Sequence, residues 1–192
     1  MMVGGDHFNW WAGNMSNDVE VQDGVGLLQT GDTLVVLWNE PATIERWRYQ
    51  LKRMVSMISS RPEGILVLVV ILAVDTLPDT AVREDMQAAL RRLGARVRML
   101  VAVPLGDTMM LSLMRTLLRG LLVVSGQSHR HRVTASVSEG LRRLQEKASA
   151  ETPSFENLAK GAEELATAMG LDTSVALDSF VPSGTFRASV PQ

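Results

Sequence analysis

The chain lacks cysteine and has no long hydrophobic run. With no cysteine among 192 residues, disulfide bonds, thiol catalysis and thiolate metal sites are excluded, so stability must come from packing alone. The longest uninterrupted apolar run, Ile65 to Val74, is about half of the roughly 20 residues that a membrane-spanning helix needs. We therefore expect no membrane span.

Basic residues are missing from the first 41 positions, which hold 6 acids. Residues 42–147 carry 17 Lys and Arg against 9 Asp and Glu, and residues 148–192 carry 2 against 6. No basic tract is interleaved with aromatic residues, so we interpret this segregation as mutual neutralisation rather than a nucleic-acid or lipid site. The start of the chain also lacks the basic and apolar regions of an export signal, which predicts a cytoplasmic protein.

Catalytic motifs are also missing. The sequence has no Gly-x-Gly-x-x-Gly or Walker loop and no Gly-x-Ser-x-Gly elbow, so nucleotide binding and hydrolysis of the familiar kinds are unsupported. We predict that the chain is not an enzyme and uses no cofactor. An enzyme would require Asp75, Asp79, Asp107 and a histidine to converge.

Histidines are few, and two of them lie close together. His129 and His131 are two residues apart, which on an extended segment places both imidazoles on one side, as a metal pair requires. Arg130 and Arg132 would repel a cation, and no third ligand is nearby. We therefore interpret this stretch as a solvated loop and predict no metal.

Strand and helix patterns alternate along the chain. The first two predicted strands, Val25–Thr30 and Thr33–Trp38, are joined by a tight turn at Gly31-Asp32. Further predicted elements are a helix from Ile44 to Ile58, a strand at Ile65–Val74, a helix from Val82 to Leu93, a strand at Val97–Val103, an apolar helix from Met110 to Leu121, a strand at Arg132–Ser136 and a helix through Leu141 and Leu144. This order predicts an α/β fold with a mixed, mostly parallel sheet of about five strands and helices packed on it.

One domain with two tails is expected. We predict a flexible leader at residues 1–18, the α/β domain at 19–148, an extra C-terminal helix within 149–170, and a disordered tail at 171–192 that is rich in Ser, Thr, Pro and Gly.

Several segments within residues 25–147 together resemble one family. They are the Leu34–Trp47 stretch, the strand at Ile65–Val74, the Val101–Pro104 strand end with its leucine-rich helix, and the Val133–Leu141 stretch. In element order and spacing they resemble the STAS fold of anti-sigma-factor antagonists and related bacterial signalling regulators. The resemblance implies a module that binds a kinase or another partner and is switched by phosphorylation at the start of the helix after the second core strand.

The resemblance also points to particular residues. Antagonists open that helix with an Asp-Ser-Ser-Gly type motif, and here Asp79 matches the Asp while Thr80 falls on the first hydroxyl. Ala81 stands where the phosphorylated residue usually lies, and Val82 replaces the Gly, so the chain is similar to a diverged member. The resemblance makes Thr80, with Asp79, the candidate regulatory phosphosite. A helix N-cap at Asp79 or Thr80 is the simpler structural interpretation.

Two functions from different classes follow. The first is a non-enzymatic regulatory or scaffold module that contacts a protein partner: a kinase, a sigma regulator or a second copy in a homodimer. The second is a small-ligand or lipid-binding domain in which the apolar helix at Met109–Val124 covers a cavity lined by Met and Leu, with Arg at its mouth. For the first, the predicted partner surface consists of Val82, Arg83, Met86, Met110 and Met114.

Overall fold

A computed structural model describes residues 17–72, 76–106, 108–124, 126 and 129–171. Over these residues the strands are β1 Asp18–Gln22, β2 Val25–Thr30, β3 Thr33–Trp38, β4 Ile65–Ile71, β5 Val97–Pro104 and β6 His131–Val133. The helices are α1 Ile44–Ser60, α2 Thr80–Leu93, α3 Met109–Val124, α4 Val137–Gln145 and α5 Phe155–Ala168. Most of the predicted leader, the predicted tail beyond Leu171, Asp75 and Asp107 lie outside the described residues.

The strands form one sheet in the order β1-β2-β3-β4-β5-β6. The first three are antiparallel neighbours, whereas β3, β4, β5 and β6 pair in parallel. This confirms the predicted α/β fold, with six strands instead of about five. The additional strand is β1, which begins within the predicted leader and pairs with β2 through a turn at Asp23 and Gly24, both at positive φ.

The helices cover both faces of the sheet. Because β3 to β6 are added in one direction and right-handed crossovers are the rule, the three crossover helices α1, α2 and α3 share one face. Helices α4 and α5 pack on the other face. Every residue of β4 is buried, as expected for a strand covered on both sides. Leu34 and Val36 of β3 face the first layer, and Val35 and Leu37 face the second.

Side chains mark where the helices begin. Asp79 caps α2, because its Oδ1 accepts a hydrogen bond from Val82 N at 2.8 Å. The Ser136 hydroxyl caps α4 by accepting from Glu139 N at 3.3 Å, as the Ser-x-x-Glu spacing of a capping box favours. Helix α5 is capped by Ser154, whose hydroxyl accepts from Asn157 N, and not by Thr152, whose hydroxyl donates to Asp32.

Helix α5 lies very close to the antiparallel strands, and two glycines permit this approach. A Cβ at Gly161 would lie 2.6 Å from Leu28 Cδ2, and a Cβ at Gly26 would lie 2.4 Å from Met169 Sδ. Gly26 sits inside β2 beneath α5, although its glycine-rich neighbourhood in the sequence is typical of a turn. The predicted extra helix is part of the same packed core.

Candidate functional site at the carboxyl edge of the parallel strands

Three parallel strands end together at one edge of the sheet. The last residues of β3, β4 and β5, namely Trp38, Ile71 and Pro104, are aligned in register. Helices α1, α2 and α3 begin at this same edge. In open α/β sheets, ligands and partners bind preferentially outside the carboxyl ends of the strands. This edge carries three features: the start of α2, the outer side of α3 and an apolar cavity beneath the helices.

The start of α2 presents an exposed residue that carries a hydroxyl group. Asp79 is occupied as the N-cap, which confirms the structural interpretation for that residue. Thr80 is exposed, and its Oγ1 accepts a hydrogen bond from Arg83 Nη2 at 2.8 Å. The two predicted phosphosite residues therefore have different surroundings. The carboxylate of Asp79 caps the helix, whereas the hydroxyl of Thr80 lies at the surface beside the guanidinium of Arg83. Phosphorylation of Thr80 stays a prediction.

The predicted partner surface needs correction at two residues. Val82 and Met114 are buried in the core between the helices and the sheet, so they are not surface residues. Both occupy the inward position of their helical turn, which a list of nearby apolar residues does not distinguish from the outward one. Arg83, Met86 and Met110 are partly exposed. The exposed apolar residues lie elsewhere on α3.

Helix α3 has an apolar outer side. Met109, Leu113 and Val124 are 78%, 45% and 57% exposed. With the partly exposed Leu117 and the exposed Gly120, their spacing of three or four residues places them on one side of the helix. We call this set, Met109, Leu113, Leu117, Gly120 and Val124, the α3 stripe. It runs over about four turns and contains no charged residue.

The apolar sequence of α3 favours burial, yet only one side of the helix is covered. The helix lies against β5 and β6, and β6, the last strand of the sheet, has only three residues. Only Leu111, Met114 and Leu122 of α3 are buried. Arg115 is turned away from the stripe, because its Nη2 donates to the backbone oxygens of Pro104 and Gly106 at 2.9 and 2.7 Å.

Beneath the helices lies an apolar cavity of about 80 Å³, bordered by α1, α2, α3 and the sheet. Val69 and Ala102 of the sheet form part of its wall, and Met86, Met114 and Leu118 of the helices form another part. The predicted lining by Met and Leu is present. Among the described lining residues the predicted Arg at the mouth is absent, and the charged residue is Glu40.

Three polar side chains beside the cavity, Trp38, Trp47 and Gln50, have partners within the protein. Trp38 Nε1 donates to Gln50 Oε1 at 2.8 Å, and Gln50 Nε2 lies 3.7 Å from Met54 Sδ. Trp47 Nε1 donates to Asp85 Oδ2 at 2.8 Å. The two indoles are therefore held in place by side chains, and their apolar rings border the cavity.

His131 is buried, contrary to the solvated-loop interpretation. It is 2% exposed in β6, and neither ring nitrogen has a hydrogen-bond partner among the described residues. Burial, followed by the charges of His129, Arg130 and Arg132, lowers the pKa of His131 to about 4. It is therefore neutral at pH 7. His129 is exposed in the preceding turn, so the two imidazoles do not share an environment.

A polar cleft of about 610 Å³ lies at the opposite, amino edge of the parallel strands, bordered by Asp32 and Arg61. The buried carboxylate of Asp32 pairs with Arg98 and accepts hydrogen bonds from Ser149 Oγ at 2.8 Å and Thr152 Oγ1 at 2.9 Å. Its second oxygen accepts from Thr33 Oγ1 at 3.1 Å. Because its lone pairs are occupied, we interpret Asp32 as the anchor of the loop between α4 and α5. Sequence patterns do not show this long-range network.

Residues that commonly bind metal ions do not gather in the part of the chain that the structure describes. There, no group of three or more His, Asp or Glu side chains could hold a metal ion. Helices long and apolar enough to cross a bilayer are likewise absent from the described ranges.

Comparisons of the chain with models of protein families, with curated proteins and with solved structures gave no match. Function must therefore be argued from the geometry of this molecule.

Proposed function

We propose that the chain is a non-catalytic regulatory or scaffold module of STAS-like architecture that binds another protein through the α3 stripe and the start of α2. The observation that carries this proposal is the exposure of the stripe. Contiguous exposed apolar surface is typical of interaction sites in folded proteins, whereas single exposed apolar residues are not informative. Met109 and Leu113 lie one turn apart, Val124 lies about three turns farther along the same side of the helix, and all three are exposed.

The charges around the stripe favour an acidic partner. Arg119 is exposed on α3, and exposed Arg91 of α2 donates from its Nη2 to Val124 O at 3.2 Å, beside the end of the stripe. A partner with an apolar centre and acidic rim would complement this surface. Rim charges of this kind affect the association rate and the salt dependence more than the final affinity.

Thr80 supports a switch at the same surface. A phosphate on its Oγ1 would lie beside Arg83 and near the free N–H groups of the first turn of α2, both of which favour it. It would also add about −1.5 to −2 charges close to the surface that meets the acidic partner. We therefore propose that phosphorylation of Thr80 weakens binding.

The proposal is tested with the tagged full chain in its native host. Proteins that co-purify at stoichiometric level with the unsubstituted chain are quantified again with Leu113→Glu and with Val55→Glu. Val55 is an exposed apolar residue of α1, so the second variant is a matched control for an added surface charge. We expect Leu113→Glu to lose the partner by at least about tenfold, because a charge would be buried in an apolar interface. Val55→Glu should retain it.

Retention of the same partner by Leu113→Glu, or equal loss with both variants, would contradict the proposal. Self-association is measured separately by light scattering on the purified chain. A dimer that Leu113→Glu dissociates and Val55→Glu does not would identify a second copy as the occupant of the stripe. Thr80→Glu should weaken the interaction and Thr80→Ala should preserve it.

The cavity favours a second candidate function, the binding of a small ligand. Its volume of about 80 Å³ is far below the roughly 300–1,000 Å³ of ordinary ligand pockets. The predicted lipid-binding role would need a larger space, so the size of the cavity favours a small molecule over a lipid.

A further inference from the structure

We propose that the cavity beneath α3 binds one small, neutral, apolar molecule of about the size of benzene. This inference rests on the second candidate function and not on the α3 stripe. The cavity lies at the carboxyl edge of the parallel strands, the edge that α/β folds use for ligands, and its lining is almost entirely apolar. Apolar cavities accept apolar guests.

Hydrogen bonding indicates that the ligand needs no polar group. Gln50, the buried polar residue that borders the cavity, accepts from Trp38 through its oxygen, and its nitrogen contacts Met54. Deep in this space, away from the exposed Glu40, a ligand hydroxyl or amide would have to displace one of these contacts or remain unpaired, and an unpaired buried polar group is unfavourable. A hydrocarbon surface meets no such difficulty.

Charge excludes anionic ligands. Glu40 borders the cavity, and neither Lys nor Arg is among the described residues that line it. The carboxylate of a fatty acid would therefore approach a like charge with no cation to receive it. This separates the proposed ligand from the lipid anions for which an Arg at the mouth would be suited.

The size of the ligand follows from the adaptability of the lining. A cavity of roughly 150 Å³ in another protein accepts benzene or xenon, about twice the 80 Å³ present here. Met86 and Met114 both line the cavity, and methionine side chains change rotamer easily to fit a guest. Leu118 belongs to α3, which packs on the sheet by one side only. Small shifts of these three side chains provide the missing space.

The test uses benzene and xenon as probes on the full chain. Trp10→Phe and Trp11→Phe leave Trp38 and Trp47, both at the cavity, as the fluorophores. We expect a saturable fluorescence change with benzene, a rise in Tm that follows the same concentration dependence, and a saturable ¹²⁹Xe chemical shift. Hexanoate should give none of these at equal concentration.

Two cavity variants and one control complete the design. Ala102→Leu fills the cavity and should weaken benzene binding by at least about tenfold. Leu118→Ala enlarges it and should tighten binding several-fold. Leu113→Ala makes the same substitution on the exposed side of α3, outside the lining, and should leave the affinity unchanged.

Absence of a saturable response to either probe would overturn the inference. So would equal benzene affinities of Leu118→Ala and Leu113→Ala, a comparison that remains decisive if Ala102→Leu does not fold. Hexanoate binding as tight as that of benzene would refute the charge argument. Failure of this test leaves the stripe proposal unaffected, because Leu113→Glu probes a surface that does not border the cavity.

Discussion

Replacement of Asp32 by alanine should both destabilise the fold and release α5. Its buried carboxylate is the shared acceptor for Arg98, Ser149 and Thr152. Removing it leaves the guanidinium without its anionic partner and three hydroxyls, those of Thr33, Ser149 and Thr152, without this acceptor. Asp32 thereby joins the β2–β3 turn to β5 and to the loop before α5, so its removal should destabilise the amino edge of the sheet.

The loss in free energy of unfolding depends on which partners of Asp32 stay buried after its removal. Breaking a buried ion pair by removing one partner costs about 3–5 kcal/mol. The Arg98 side chain is 18% exposed, so water can partly compensate it, and we expect a loss of about 3 kcal/mol, at the lower end of that range. A matched control is Glu146→Ala, which breaks the exposed Arg143–Glu146 pair of 2.9 Å. That pair should contribute less than about 1 kcal/mol.

The free energy of unfolding is measured by urea denaturation, together with amide hydrogen exchange. For Asp32→Ala we expect faster exchange in α5 and in the loop that precedes it, with little change in β4. A loss smaller than about 1 kcal/mol, equal to that of the Glu146→Ala control, would refute the assignment of Asp32 as the anchor. Unchanged exchange in α5 would refute the release of the helix.

Two further predictions concern a buried histidine and two glycines. Because the pKa of His131 is lowered from 6.5 to about 4, the unfolded chain holds its proton over that interval and the folded chain does not. The free energy of unfolding therefore carries no penalty from this residue above pH 6.5 and falls by about 3 kcal/mol towards pH 4. Urea titrations at several pH values should show a smaller fall of this free energy in acid for His131→Leu. Gly161→Ala should destabilise by about 1–3 kcal/mol in thermal unfolding, because the new Cβ would meet Leu28. Gly120→Ala, whose Cβ meets nothing within 4 Å, should stabilise α3 by up to about 1 kcal/mol, and the opposite order of the two glycine variants would contradict the packing.

The helices and strands of this fold are predictable because the hydrophobic periodicity and the turn-forming residues indicate the same boundaries. The tight turn at Gly31 is flanked by two apolar runs, and Gly94 at positive φ ends α2 where the pattern stops. Such local signals need no knowledge of the neighbours. The strand β1 is harder to predict because it has only five residues, of which two are apolar, and a short edge strand is defined mainly by its pairing with β2.

Sidedness and burial were not predictable, because they depend on where the sheet ends. Met114 and Leu113 are adjacent in the sequence, yet one is core and the other surface, since α3 packs on the sheet by one side only. His131 lies between two arginines, which suggests solvent, but it is buried in β6, the strand against which α3 packs. Gly26 has a turn-like neighbourhood in the sequence, and its role is visible only once Met169 lies above it.

We propose that the α3 stripe is the surface that contacts the protein partner. The most direct measurement is amide hydrogen exchange of the full chain with and without the partner recovered by co-purification. If the partner covers the α3 stripe and the start of α2, we expect added protection within Met109–Val124 and in the first turn of α2, with no change in α5. Protection confined to β1 or to α4 and α5, on the other face of the sheet, would contradict it.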